Sequence, residues 1–231
     1  MKLKLPNFIR NKHIDLHVYS NHASSQDCGF VSIMGRTKRD FMRPTKLASM
    51  STCRGFVEMQ RRGVQLKAWQ EFSWSINDGI TNFDGVNPDI THILYHNPQD
   101  SNGFAEKNNL QIFKITPPFR VQCDEDVDWV MTPSPFMTQN VHMPSGITNF
   151  KYSHSIAVFV YIHKESNHPV LFKAGDSMAA FVPMSDRKVK VHNHYDKAKH
   201  QELVERALQG VSSNSYSKVR KIRKEYTDDN K

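Results

Sequence analysis

Seven consecutive apolar residues, Ile156–Ile162, constrain the fold of this chain more than any other stretch, and their letters are IAVFVYI. A membrane-spanning helix needs roughly 20 apolar residues, so this run is too short to cross a bilayer. Its β-branched and aromatic side chains are typical of a β-strand that is covered on both faces. The chain is therefore expected to fold into layers of β-sheet.

Period-two alternation predicts further strands earlier in the chain. Val64–Ala68 and Phe72–Ile76 both alternate apolar with polar side chains, as half-buried strands do. Asn77-Asp78-Gly79 follows as a turn signal. Before these strands, a short apolar patch is formed by Phe56, Val57 and Met59, and Arg61-Arg62-Gly63 is interpreted as a turn.

Other segments are assigned more coarsely. Ile14–Tyr19 is a plausible first strand, and residues 77–109 are interpreted as a loop with one strand near Ile90–Tyr95. The segment PVLFKAGDSMAAFVP, residues 169–183, is expected to form a hairpin whose turn uses Gly175 for backbone reasons.

The periodicity changes near the C-terminus. Leu203, Val204, Ala207 and Leu208 recur at helical spacing, and Gly210 stands where a helix would end. A second apolar stripe at Tyr216, Val219, Ile222 and Tyr226 favours another helix. The predicted fold class is mainly β (α+β): an antiparallel β-sandwich or jelly-roll-like body with one or two C-terminal helices. Its expected domains are a β-sandwich-like domain over residues 1–195 and a basic helical extension over residues 196–231.

The charge is concentrated in the last fifth of the chain. The 31 Lys and Arg against 23 Asp and Glu give a net charge of +8, and residues 187–231 alone hold 12 basic and 6 acidic residues. A basic segment of this kind suggests a polyanionic partner, either nucleic acid or an acidic protein surface, although a solvated tail has the same composition. The candidate contact residues are Lys218, Arg220, Lys221, Arg223 and Lys224.

Twelve histidines raise the question of a metal site. In HNHYD, residues 192–196, His192 and His194 would share one face of a strand and could bind a divalent metal together with a third ligand such as His163. The simpler interpretation is a polar strand end, so the expectation is that no cofactor is bound.

Cysteine content and the first residues bear on the compartment. Cys28, Cys53 and Cys123 are odd in number and far apart, which favours a reducing cytosol over a disulfide framework. The first residues lack the apolar stretch of a signal peptide, so secretion by that route and a membrane partner are not expected. The oligomeric state is left open.

Four motifs along the chain carry a resemblance to known proteins. They are formed by Cys53, Gly55, Phe56, Gly63 and Trp69, by Lys114 and Pro118, by Pro144, Gly146 and Phe150, and by Ala174, Gly175, Pro183 and Arg187. Together they resemble a family of uncharacterised proteins of tailed bacteriophages, including T4-like and marine phages, that is related to a domain of unknown function. The resemblance covers roughly residues 14–195 and implies a phage protein that acts in the host cytoplasm or the virion, but it implies no catalytic residue. This chain departs from the family at Arg54, where a proline is common, and at Gln70, where an acidic residue is common.

Two functional hypotheses follow. The first is a non-enzymatic phage protein: a β-sandwich scaffold or binding module whose basic C-terminal helices contact nucleic acid or a protein partner. The alternative is a cupin-like or dUTPase-like enzyme for a small molecule or nucleotide that uses His or Asp residues, with or without a metal. The segment around Gly175 is similar to the dUTPase β fold, but no catalytic motif of those enzymes is found here.

Overall fold

The structure, a computed structural model, describes residues 13–22, 30–32, 54–77, 80–85, 92–96, 103–134, 141–165 and 169–212. These residues form a mainly β protein with a β-sandwich body and a C-terminal helix, which confirms the predicted fold class. The strands are β1 (His13–Ser20), β2 (Phe30–Ser32), β3 (Val64–Lys67), β4 (Phe72–Asn77), β5 (Ile80–Asp84), β6 (His92–His96), β7 (Leu110–Thr116), β8 (Phe119–Gln122), β9 (Trp129–Pro133), β10 (Gly146–Thr148), β11 (Val158–His163), β12 (Val170–Phe172), β13 (Ser177–Pro183) and β14 (Lys188–Tyr195), and the helices are α1 (Arg54–Arg62), α2 (Phe104–Lys107) and α3 (Lys197–Ser212).

The described strands are arranged in sheets with the orders β14-β1-β8, β10-β9-β13-β3-β2, β11-β7-β6 and β12-β4-β5. All of these sheets contribute to one large apolar cluster, with Leu16, Phe181, Val160 and Trp74 as fully buried examples. The apolar run of the sequence supplies β11, whose Val158, Val160 and Ile162 are buried. Burial of these side chains is what holds the layers together.

Strand β1 shows how the sequence pattern sets the two faces of a sheet. Ile14, Leu16 and Val18 are buried in the core, so the alternate residues point outward. β1 pairs antiparallel with β8 but parallel with β14. The parallel pair departs from the predicted antiparallel arrangement, and it is possible because the connection between β1 and β14 is far longer than a hairpin.

The expected hairpin around Gly175 is wrong. β12 pairs with β4 in one sheet, whereas β13 pairs with β3 and β9 in another, so the turn carries the chain between sheets. Gly175 has φ +91°, which confirms the backbone reason for glycine. The Gly175 amide donates to the carbonyl of Ala68 at 2.7 Å, and the Ala68 amide donates to the carbonyl of Asp176 at 2.8 Å.

Helix α1 replaces the apolar patch and turn that the sequence suggested near Phe56. Arg61 and Arg62 lie in its last turn, and both contact Glu58 at 3.1 and 3.3 Å. These i,i+3 and i,i+4 contacts favour the helix over the predicted turn. Strand β5 and helix α2 likewise occupy part of the region interpreted as loop.

The C-terminal helix α3 is longer than predicted. It continues through Gly210 to Ser212, so the expected end at that glycine is wrong. A glycine costs only about 1 kcal/mol relative to alanine inside a helix, which does not end a helix that tertiary contacts support. α3 lies against β1 and β8 with Leu203 fully buried, while Leu208 is exposed. The helix predicted around Tyr216–Tyr226 lies outside the described residues.

None of the helices in the described ranges has both the length and the apolar character that a bilayer crossing requires.

Candidate functional site

The outward faces of β1 and β14 carry a row of ionisable and aromatic side chains. The parallel register sets Asp15 beside Lys190, His17 beside His192, and Tyr19 beside His194. Next along the strands, exposed His13 lies beside exposed Lys188. We call the first three pairs the imidazole face, which comprises Asp15, His17, Tyr19, Lys190, His192 and His194.

The rings of the imidazole face stack across the two strands. His17 and His192 have ring centroids 4.8 Å apart and planes within 13°, and Tyr19 and His194 are 4.8 Å apart and within 18°. The centroid distance equals the spacing of neighbouring strands, so the rings stand upright on the sheet. The two pairs are linked diagonally by His17 and His194, whose centroids are 5.3 Å apart.

Two hydrogen bonds fix these rings. His17 Nδ1 and His194 Nε2 are 3.0 Å apart, so one nitrogen donates and the other accepts. His192 Nε2 and Asp15 Oδ1 are 2.8 Å apart. Since an ionised carboxylate can only accept, His192 Nε2 is the donor, and neutral His192 keeps the lone pair on Nδ1.

The surroundings change the acidity of three of these groups. The hydrogen bond from His192 lowers the pKa of the Asp15 carboxyl below its ordinary value of 3.8. Burial lowers the pKa of the His17 imidazole below 6.5, and His192 and His194 lower it further. Burial raises the pKa of the Tyr19 hydroxyl above 10.0. Near pH 7 the face therefore contains an ionised Asp15 carboxylate, and the His17 imidazole is mainly neutral.

Two other histidines, His154 and His200, are buried next to β8. His154 Nδ1 donates to the carbonyl of Val121 at 3.1 Å, and His200 Nε2 donates to the carbonyl of Pro118 at 3.1 Å. Burial lowers the pKa of both imidazoles. These bonds satisfy buried carbonyls, so the two rings have a structural role.

The structure brings together only part of the metal site considered from the sequence. His192 and His194 do share a face, and their third imidazole is His17, whereas His163 is exposed on β11 in a different sheet. In the part of the chain that the structure describes, no three His, Cys, Asp or Glu side chains are grouped so as to hold a metal ion.

Sequence reasoning missed Asp15, His17 and Tyr19 as site residues. In the strand predicted over Ile14–Tyr19 these three residues stand on one face, but nothing in the sequence indicated which strand would lie beside them. The predicted contact residues Lys218, Arg220, Lys221, Arg223 and Lys224 lie outside the described residues.

A separate cavity of about 380 Å³ opens beside β9, β10 and β13. Its lining includes Phe150, Phe159 and Phe181, with Ser153 and Ser155 among its polar members. Among the residues that the structure describes, no ionisable side chain lines it. The described lining of this cavity therefore offers none of the His or Asp side chains that the enzyme hypothesis requires.

Comparison with known proteins gives no relative: neither a protein-family model, nor a curated protein, nor a solved structure matches this chain.

Proposed function

We propose that this chain is a β-sandwich module of a tailed bacteriophage that binds nucleic acid through the imidazole face and the basic segment 218–224. The phage assignment rests on the sequence resemblance, and the host cytoplasm or virion is its proposed location. The observation that carries the binding proposal is the composition of the imidazole face and the adjoining pair His13–Lys188. These eight outward side chains include two lysines, four histidines and a tyrosine, with Asp15 as the single acid.

Lysines on this face suit the phosphate backbone. Lys188 and Lys190 are exposed and two residues apart, so they lie on the same face of β14, and their Cα atoms are about 6.6 Å apart along the strand. Lysine contacts phosphates as a point charge and reads no sequence. Binding of this kind releases counterions and weakens as salt rises.

The upright rings suit nucleobases. In single-stranded nucleic acid the bases are free to stack on aromatic side chains, which is sequence-tolerant because every base has a π face. Tyr19, His17, His192 and His194 form a continuous ring stack beside the two lysines. An acidic protein surface would use the lysines but not the ring faces, so we favour single-stranded nucleic acid as the partner.

The basic segment adds charge from the same part of the chain. α3 begins two residues after β14 ends, and segment 218–224 follows α3 in sequence. Its five Lys and Arg residues supply further positive charge for contact with phosphates.

The test is fluorescence anisotropy of the full chain with labelled single-stranded RNA and DNA 20-mers over a range of salt. We expect affinity to fall steeply with salt. We expect the double substitution Lys188→Met, Lys190→Met to weaken binding and to reduce the slope of log affinity against log salt by roughly 1.4, at about 0.7 per lost phosphate contact.

The matched control is Lys164→Met with Lys173→Met, which removes two exposed lysines elsewhere and should bind like the wild type. If neither the RNA nor the DNA oligonucleotide shows salt-dependent binding, the proposal is refuted. If the Lys188/Lys190 variant and the control variant bind with equal affinity, the outward face of β14 is not part of the binding site. Capture of an acidic protein without any nucleic-acid binding would also overturn the proposal.

A further inference from the structure

We propose that the imidazole face also cleaves single-stranded RNA by internal transesterification, an activity that rests on the proposed nucleic-acid binding. In this reaction the ribose 2′-oxygen forms a bond to the adjacent phosphorus, and the bond from phosphorus to the 5′-oxygen breaks. One proton leaves the 2′-hydroxyl and one is delivered to the 5′-oxygen. The products are a 2′,3′-cyclic phosphate and a 5′-hydroxyl, and no co-reactant is consumed.

The base is His192. Asp15 accepts the hydrogen bond from its Nε2 at 2.8 Å, which fixes the tautomer and leaves the Nδ1 lone pair to accept the 2′-hydroxyl proton. The low pKa of Asp15 keeps its carboxylate ionised at neutral pH, so it can stabilise the imidazolium that forms.

The acid is the hydrogen-bonded pair of His17 and His194. Across their 3.0 Å contact the pair can share one additional proton, which then belongs to both rings. Burial and the adjacent imidazoles disfavour the charged form of His17, so the protonated pair forms mainly below pH 6.5 and readily gives its proton to the leaving 5′-oxygen. The His17 ring lies 4.8 Å from that of His192, which sets acid and base beside one phosphate.

Two neighbours complete the arrangement. Lys190 lies beside Asp15 in the strand register and is exposed, so its ammonium can neutralise charge that develops on the non-bridging phosphate oxygens. Tyr19 extends the ring stack on which a base can lie. The other charged groups that affect His17 and Tyr19 lie after β8 and on or just before α3: Asp124, Asp196, Lys199 and Glu202.

The experiment uses the full chain and a labelled DNA oligonucleotide that contains a single ribonucleotide, with the all-DNA oligonucleotide as a second substrate. We expect cleavage only after the ribose, with a 2′,3′-cyclic phosphate identified by mass spectrometry. General acid and base catalysis is worth about 10²–10⁴-fold, so His192→Gln and His17→Gln should each lower the rate by at least about 100-fold. Folding of each variant is checked by circular dichroism, and binding by anisotropy.

The control is His142→Gln, which removes an exposed imidazole outside the imidazole face and is purified identically. Its cleavage rate should equal that of the wild type, which separates the activity from a contaminating nuclease. Asp15→Asn tests the positioning role: the wild-type rate should have a bell-shaped pH profile, and this variant should move its acidic limb while the chain still binds RNA.

The outcomes separate the two proposals. If RNA is bound and stays intact, cleavage is refuted and nucleic-acid binding stands. If neither oligonucleotide is bound, both proposals fail. Cleavage of the all-DNA oligonucleotide, or cleavage that persists in His17→Gln and His192→Gln, overturns the mechanism assigned to this face.

Discussion

Two groups of histidines contact the same three-stranded sheet and differ in what their nitrogens bind. His154 and His200 are buried and donate to backbone carbonyls of β8 and of the residue just before it. His17, His192 and His194 are partly exposed and bind one another or Asp15. The first group satisfies polar groups that folding would otherwise bury without a partner. The second group lies outside the apolar core, and this grouping of titratable rings is the basis of the functional proposals made above.

The largest effect that separates the two groups should come from helix α3, which carries the buried His200. Leu203→Ala removes a fully buried side chain that anchors α3 on β1 and β8, so we expect a loss of about 2–5 kcal/mol in unfolding free energy. Leu208→Ala, five residues along the same helix and 66% exposed, is the control and should cost little. Urea denaturation measures both, and equal losses would show that α3 does not depend on the Leu203 contact.

A smaller effect should appear in the pH dependence of stability. Burial lowers the pKa of His154 and His200 below the value of 6.5 that applies in the unfolded chain. Between the lowered pKa in the folded state and 6.5 in the unfolded state, the unfolded chain binds more protons than the folded one. The contribution of each histidine to stability is therefore complete above pH 6.5 and is lost as the pH falls below it. The slope reaches up to about 1.4 kcal/mol per pH unit for each histidine. The pKa values of the Asp15 and Glu202 carboxyls are also lowered, from 3.8 and 4.5, so their contribution to stability is lost only at pH values below this range.

The variants for this test keep the hydrogen bonds to the two carbonyls but replace each titratable imidazole by an amide, which does not titrate. In His154→Asn the amide nitrogen takes the place of Nδ1, and in His200→Gln it takes the place of Nε2. Thermal denaturation between pH 7.5 and 5 should show a flatter pH dependence in the double variant. His17→Gln should flatten it less, since that ring is only half-buried. A slope that stays unchanged in the double variant would contradict the role assigned to the buried pair.

The smallest effect should come from the imidazole face. The triple substitution His17→Gln, His192→Gln, His194→Gln removes stacking and two hydrogen bonds at a partly exposed surface, so we expect a loss of about 1 kcal/mol or less at pH 7. Differential scanning calorimetry gives the value. A loss as large as that of Leu203→Ala would mean that these rings hold the sheet together, and the distinction between the two groups would fail.

The imidazole face also shows which parts of the candidate site could be predicted from the sequence and which could not. The sequence predicted that His192 and His194 share a face of one strand, and it predicted a strand over Ile14–Tyr19 without assigning a role to Asp15, His17 or Tyr19. It did not predict that these strands are neighbours, because a parallel pairing leaves no local signal such as a hairpin turn.

Other differences have local causes. Helix α1 was missed because its few apolar residues are outnumbered by charges, although Glu58 and Arg62 have the i,i+4 spacing of a helical ion pair. The turn at Gly175 was recognised from its composition, but composition did not reveal that its two strands belong to different sheets.

The parallel pairing of β1 with β14 also has a consequence during synthesis. Strand β1 leaves the ribosome well before β14, so its parallel neighbour is not available until residue 195 has emerged. Until then the nascent chain carries His17 without His192 and His194, and the proposed activity arises only when β1 and β14 meet.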